Sequence, residues 1–304
     1  MTVRLTIRTA IWRASVARTA SAVDGLIPVV KGNGYGFGRA WLTEVAAELS
    51  DVVAVGTVHE LDTVPAALDA VVLTPVLAPP SDTEAILTVG SDQHVAALAG
   101  SGRRVVVKLA SRMQRFGGTA ELVATARAAG LDVVAVAIHP ALAGSDAERR
   151  DEVAGIVARV DPELPVWVSH LGLEAYRSLP ATHEYRLRLG TSLWHGDKTA
   201  LHLEADVLDV RPVRAGDRAG YRLGQVERDG RLVMIGAGTA NGVTPLPDGS
   251  SPFHFARRRL SLHEPPHMHV AMVLVADGPS PDVGDHVDVQ RPLHMTTVDE
   301  YRWI

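Results

Sequence analysis

GLIPVVKGNGYGFGRAWLTEVAAELSDVVAVGT, residues 25–57, decides the fold. Two continuous apolar runs, GLIPVVK (25–31) and DVVAVGT (51–57), flank RAWLTEVAAELS, which reads as an amphipathic helix. An apolar strand without alternation is covered on both faces, and a helix between two such strands makes the pair parallel. The texture repeats outward from there. AVVLTPVL (70–77), a weaker ILTV (86–89), RRVVVKLA (103–110), LDVVAVAIH (131–139), PVWVSHLG (165–172) and YRLRLGTS (185–192) are further strand candidates. SVARTASAVD, AELVATARAAG and DAERRDEVAGIVARV are helical or Ala-rich stretches among them. Eight such units predict an α/β fold, a TIM-like (β/α)8 barrel rather than an open sheet.

After about residue 200 the pattern changes. HLEADVLDVRPVRAGDRAGYRLG, RLVMIGAG, PHMHVAMVLVA and GDHVDVQRP read as strands joined by turn clusters such as ERDG and PDGSSP. The expected organisation is a barrel over 1–200 and a mostly-β domain over 201–304. The N-terminal MTVRLTIRTAIWR alternates like a strand, and its first part, about 1–8, is a candidate to pair with the β-domain.

Composition narrows the classes. The 304 residues are 46% hydrophobic, enough for a sizeable core. Acids outnumber bases 35 to 30, so no basic surplus argues for nucleic acid or an anionic membrane. The absence of cysteine excludes disulfides, thiolate catalysis and Cys-ligated zinc. No signal-peptide core or bilayer-length apolar run is present, so a cytoplasmic location is expected.

Lys31 ends the first good barrel strand, at the carboxyl edge where barrel chemistry sits. A solvated strand-end lysine is one reading. A desolvated amine that forms a Schiff base is the other. The following GNGYGFG is neither a GxGxxG fingerprint nor a Walker loop, because the lysine precedes the glycines. It does allow close backbone approach and places the Tyr35 hydroxyl four residues on, which suits a cofactor phosphate beside a cofactor-bearing amine.

VVKGNGYGFG resembles the cofactor-lysine segment of the alanine racemase family, the barrel-type pyridoxal phosphate (PLP) enzymes. VVVKLASRMQRFGG (105–118), VVAVAIHP, RLRLGTSLWHG and VRPVRAGDRAGYRLG resemble later segments of that family, in the same order. Leu189 stands where the family's Arg-Pro-Gly has proline. The resemblance implies that Lys31 holds PLP through a Schiff base and serves as base on one face of the substrate. It implies that Tyr35, Gly190 and Thr191 contact the phosphate, with Ser169 or His170 beside them and Tyr301 as a late contributor. Arg188 is implied to face the pyridine nitrogen and His139 to stack on the ring. Arg115 is implied to approach the cofactor phenolate and substrate carboxylate. Lys108 matches a lysine that braces that arginine and is carbamylated in some members. Met268 corresponds to a methionine at the substrate carboxylate.

The same resemblance exposes departures. The family's second base is a tyrosine in Gly-Tyr-Ala-Asp-Gly, reaching the partner subunit's site in a dimer. Here GTANG (238–242) has Thr239 at the tyrosine position and Asn241 at the aspartate position. A threonine hydroxyl is a poor base near neutral pH. Tyr221, His267 and His269 are candidate substitutes. Phe37 replaces a histidine, His269 an aspartate, and Ala110, Ser111 and Arg112 an Asp-Thr-Gly. The expectation is a PLP-dependent racemase of alanine or another small amino acid, an isomerase acting as a homodimer with shared sites. A one-base PLP decarboxylase or epimerase and a non-catalytic PLP-binding homeostasis protein are the alternatives.

Overall fold

Eight parallel strands close into a barrel in the computed structural model, which describes residues 2–304. They are β2 (Leu26–Pro28), β3 (Val52–Val55), β4 (Asp69–Val72), β5 (Ile86–Val89), β6 (Arg104–Lys108), β7 (Asp132–Ala137), β8 (Val166–Ser169) and β9 (Tyr185–Leu189). Hydrogen bonding runs β2-β9-β8-β7-β6-β5-β4-β3. The ring closes through a parallel bridge between Val29 and Ala54, where the Val30 N–H donates to the Ala54 carbonyl at 2.8 Å. The sequence motif therefore lies at the seam. All four residues of ILTV are buried in β5, so the poorest strand of the sequence is a full barrel stave.

Helices α2 (Arg39–Ala47), α3 (Asp92–Leu98), α4 (Leu122–Ala128), α5 (Asp146–Val157) and α6 (Leu173–Arg177) cover the barrel, and α7 (Thr191–Trp194) is a single turn after β9. Ser145 caps α5 by accepting from the Glu148 N–H while Glu148 reaches back to the Ser145 N–H, a capping box. Two crossovers carry no α-helix: a 3-10 segment, Val58–Thr63, follows β3, and turns follow β4. Pro65 in the first, and Pro75, Pro79 and Pro80 in the second, account for this, because proline removes a helix donor and restricts the residue before it.

The chain divides into two units, one of Ser15–Gly196 and one joining residues through Ala14 to Asp197–Ile304. In the second unit β1 (Val3–Ile7) pairs antiparallel with β10 (Leu201–Val213), from Val3 opposite Ala205 to Ile7 opposite Leu201. Strand Glu300–Trp303 lies parallel on the other side of β1. β10 also pairs antiparallel with Gly230–Ile235 and His286–Val289. Val3, Leu5 and Ile7 point inward at 0% exposure, the alternation expected of a half-buried strand. The strand-like reading of residues 1–13 is corrected beyond Ile7. Helix α1 (Thr9–Ser21) begins there, because Trp12, Ser15 and Val16 fall on one buried helical face and the Trp12 N–H donates to the Arg8 carbonyl.

Candidate functional site at the carboxyl ends of the barrel strands

Lys31 follows β2, and its loop is held from several sides. Glu60 accepts from the Gly32 N–H at 3.1 Å and the Gly56 N–H at 2.7 Å, tying the chain after β2 to the chain after β3. Arg39 donates to the Gly32 carbonyl, to Thr63 and to Asp62. Gly34, at φ +66°, has no room for a β-carbon, which would overlap the backbone of Arg39. Tyr35 adopts φ +55° although it is not glycine, a conformation costing on the order of 1 kcal/mol. What holds it there is burial and a bond: its carbonyl accepts from His195 Nε2 at 2.8 Å, and its ring packs edge-on against that imidazole.

The Lys31 side chain presents surface to solvent, yet protein crowds its amine. Desolvation, followed by the charge of Arg115, holds its pKa below the usual lysine value. Glu60 acts in the opposite sense, and Arg188 adds to the lowering. This is the direction that yields a neutral, nucleophilic amine.

Arg188, on β9, is 7% exposed. Its Nη2 donates to the Ile138 carbonyl at 2.9 Å and approaches Ser169 Oγ at 3.5 Å. Its Nε is buried with no hydrogen-bond partner among the described residues. Burial and then Arg115 lower its pKa to about 10, so it stays a cation at neutral pH with no carboxylate against it. A buried guanidinium with an unused N–H is costly unless a ligand accepts from it.

The neighbours extend this positive field. Lys108, at the end of β6, is 3% exposed and donates to the Arg115 carbonyl at 3.4 Å. Burial, with Arg188 and Arg115, pushes its pKa down to about 8. Both Lys108 and Arg115 lie over the Phe116 ring, at 5.0 and 5.3 Å. Gln114 and Phe116, flanking Arg115, have positive φ of 54° and 31°, so the turn that presents this guanidinium is strained on both sides. His139, beyond β7, meets Ser169 Oγ through Nδ1 at 2.5 Å and packs against His170 at 4.2 Å between ring centroids. Burial and the surrounding charges push its pKa down to about 2, so it is a neutral ring. His170 binds the Pro140 carbonyl through Nδ1 at 2.9 Å.

The Tyr35 hydroxyl lies against Gly190, where a β-carbon would overlap it. Burial and Glu60 raise that hydroxyl to a pKa of about 12, so it is a donor at any ordinary pH. Gly190 caps α7 and Thr191, its first residue, is exposed. Lys31, Lys108, Arg115, His139, His170 and Arg188 thus lie within one another's electrostatic fields, and the Tyr35 hydroxyl, against Gly190, feels the charge of Glu60. A cluster so rich in donors and cations suits an anionic, aromatic ligand. The residues present fit PLP: an amine of lowered pKa, a buried N–H awaiting an acceptor, a neutral ring and a Tyr35–Gly190 cradle.

Thr239, Met268 and Tyr301 belong to the other unit. Tyr301 pairs with Leu5 in the parallel ladder, and burial raises its hydroxyl pKa. Thr239 is exposed, and its N–H donates to the His267 carbonyl at 2.9 Å. Asn241 is buried, donating through Nδ2 to the Thr297 carbonyl and to Asp299. Sequence reading missed Glu60 and Glu264. Glu60 had no signal beyond following a strand end, and Glu264 only a histidine three residues on. Among the described residues no helix is long and apolar enough to cross a membrane, and no group of three or more His, Cys, Asp or Glu could hold a metal ion.

Known structures share this architecture. Alanine racemase from Bartonella henselae, with covalently bound pyridoxal phosphate, superposes with a TM-score of 0.77 at 17% identity, covering 100% of both chains. The Clostridium difficile 630 alanine racemase gives 0.76 at 14% identity over 100% of this chain and 96% of that one. The biosynthetic enzyme of Pseudomonas aeruginosa gives 0.71 at 18% identity over 100% and 99%. No curated protein matches the sequence. Residues 11–194, more than half of the chain, match the family described as alanine racemase, N-terminal domain, and the chain belongs to that family.

Proposed function

We propose that this protein is a PLP-dependent amino-acid racemase acting on alanine or another small amino acid, as a homodimer. The observation that carries the reading is the buried Arg188, whose Nε lacks a partner, in the same charged group as a Lys31 of lowered pKa. Lys31 would hold the cofactor covalently and move a proton at the substrate Cα. Arg188 Nε would donate to the pyridine nitrogen. A guanidinium does not surrender its proton, so that nitrogen would stay unprotonated and the reaction would favour proton return over side chemistry. When bound, the cofactor supplies the sink for the electron pair left behind.

The remaining residues bind and orient. Tyr35, Gly190 and Thr191, with Ser169 or His170, would hold the phosphate, and Tyr301 is a further candidate for it. The neutral His139 would pack on the ring. Arg115 would take the substrate carboxylate, where a planar fork matches two oxygens. Lys108 braces the Arg115 carbonyl, and a carbamyl group on it would reverse its charge. Thr239 stands where the family's tyrosine would be, and Met268 lies beside that loop, so the face opposite Lys31 needs another proton-transfer group.

The test is direct. The purified protein should bind PLP with the absorbance of a lysine-linked cofactor, fixed by borohydride on a peptide containing Lys31. Lys31→Ala should lose both, and racemisation should fall at least about 1,000-fold. Deuterium from solvent should enter both L- and D-alanine. Incorporation into one enantiomer only would identify a one-base enzyme. Cofactor binding with no exchange in any amino acid would identify a non-catalytic binder.

A further inference from the structure

A dyad in the C-terminal unit has no part in that account. Glu264 is 8% exposed, and three donors converge on it. The Tyr221 N–H reaches Oε1 at 3.0 Å, the Arg222 N–H reaches Oε2 at 3.3 Å, and His267 Nε2 lies 2.6 Å from Oε1. Burial pushes this carboxyl's pKa up, but the bonds from Tyr221, Arg222 and His267 outweigh it and keep the group ionised. A carboxylate only accepts, so His267 Nε2 carries the proton and Nδ1 keeps its lone pair. The exposed Tyr221 ring stacks on this imidazole, with centroids 4.2 Å apart and planes inclined by 16°. In sequence the pair belongs to HEPPH, which mimics a zinc-binding HExxH. Two prolines forbid the helix that motif requires, and the chain here is not helical.

Its position is the second observation. The Thr239 N–H donates to the His267 carbonyl and the Ala240 N–H to the Met268 carbonyl, each at 2.9 Å. Gly238 has no room for a β-carbon, which would overlap the His267 carbonyl. The GTANG loop is thus clamped to the residue that carries the imidazole. A histidine with one nitrogen fixed by a carboxylate and the other free is the usual form of a general base, because the carboxylate sets the tautomer and stabilises the imidazolium. His269, two residues on, has no carboxylate partner among the described residues.

We propose that His267, oriented by Glu264, is the proton-transfer residue for the substrate face opposite Lys31, in the site completed across the dimer. This rests on the function proposed above. In one direction Nδ1 takes the Cα proton and becomes imidazolium. Lys31 Nζ, set free when the substrate amine takes its place on the cofactor, would deliver a proton to Cα from the other face, and bound PLP would supply the sink for the C–H electron pair in between. The reverse direction exchanges the roles, and no oxidant or reductant is needed.

The experiment compares PLP-loaded wild type, H267Q and E264Q for solvent-deuterium exchange. L- and D-forms of alanine, or of whichever small amino acid the wild type exchanges, are assayed separately. H267Q should keep the lysine-linked absorbance and keep exchange of one enantiomer within about threefold, while losing the other by about 100-fold or more. E264Q should show the same asymmetry, about 10-fold. Wild-type rates for both enantiomers in H267Q overturn the inference and leave the proposed function standing. A wild type that binds no cofactor overturns the proposed function, and the inference falls with it. A readout independent of turnover and of variant folding is the 15N spectrum of the cofactor-free wild type. His267 should appear protonated on Nε2 only, and protonation on Nδ1 would overturn the assignment.

Discussion

Arg4 and Arg188 are both largely withdrawn from water, in different units and in opposite surroundings. Arg4 lies 3.3 Å from Glu204, 3.6 Å from Asp206 and 3.1 Å from Glu300, and the bond to Glu300 leads the causes that raise its pKa. Arg188 has two oxygen neighbours, neither charged, an unused Nε and a pKa lowered to about 10. The first arrangement is complete as it stands and knits β1 to β10 and Glu300–Trp303. The second is incomplete within the protein, and its missing acceptor is what a bound ring nitrogen would provide. The contrast separates a guanidinium whose acceptors lie within the fold from one that keeps a buried, unused N–H.

The comparison can be broken by exchanging each residue in turn. Arg188→Met should weaken PLP retention by roughly 10- to 100-fold, the loss of a charge-assisted hydrogen bond, as read by equilibrium dialysis. The cofactor-free variant should melt no lower than wild type, because an uncompensated buried charge has gone. A lower melting temperature would mean that Arg188 is structural after all. Arg4→Met should do the opposite, destabilising the protein by about 1–2 kcal/mol in urea unfolding while leaving PLP affinity unchanged.

The smallest expected effect is a pH dependence. The folded-state pKa of Lys108, about 8, lies below its ordinary value of 10.5. Below pH 8 both folded and unfolded chains hold that proton, and the folded state bears the full penalty of the buried charge. Between 8 and 10.5 the unfolded chain binds more protons, so this group's contribution to stability rises with pH. Lys108→Met should therefore raise the melting temperature of the cofactor-free protein by a few degrees at pH 7, with the gain vanishing toward pH 10. A gain independent of pH would locate the effect in packing instead.

Much of the fold was legible because its cause is local. Continuous Val, Ile and Leu runs declare strands buried on both faces, and all eight runs became barrel staves, ILTV included. What misled was MTVRLTIRTAIWR, where alternation passes into helical spacing at Thr9 without punctuation. The site was legible only in part. Arg186 and Arg188 share a face of β9 by period two, which alone does not rank them; the family resemblance singled out Arg188. The structure also separates them, because Arg186 meets Asp51 at 2.5 Å while Arg188 meets no acid. Glu60 was invisible because its bonds to Gly32 and Gly56 exist only once β2 and β3 are neighbours. Glu264 was invisible because its value lies in burial and in backbone donors from Tyr221 and Arg222, far away in sequence.

The uncompensated Arg188 has a consequence beyond chemistry. A chain that carries such a charge relieves it by loading, so the unloaded form is the one that opens more readily and meets proteases more often. Resistance to proteolysis would then track how fully the protein is loaded, readable as the cleavage rate of the cofactor-free against the loaded form.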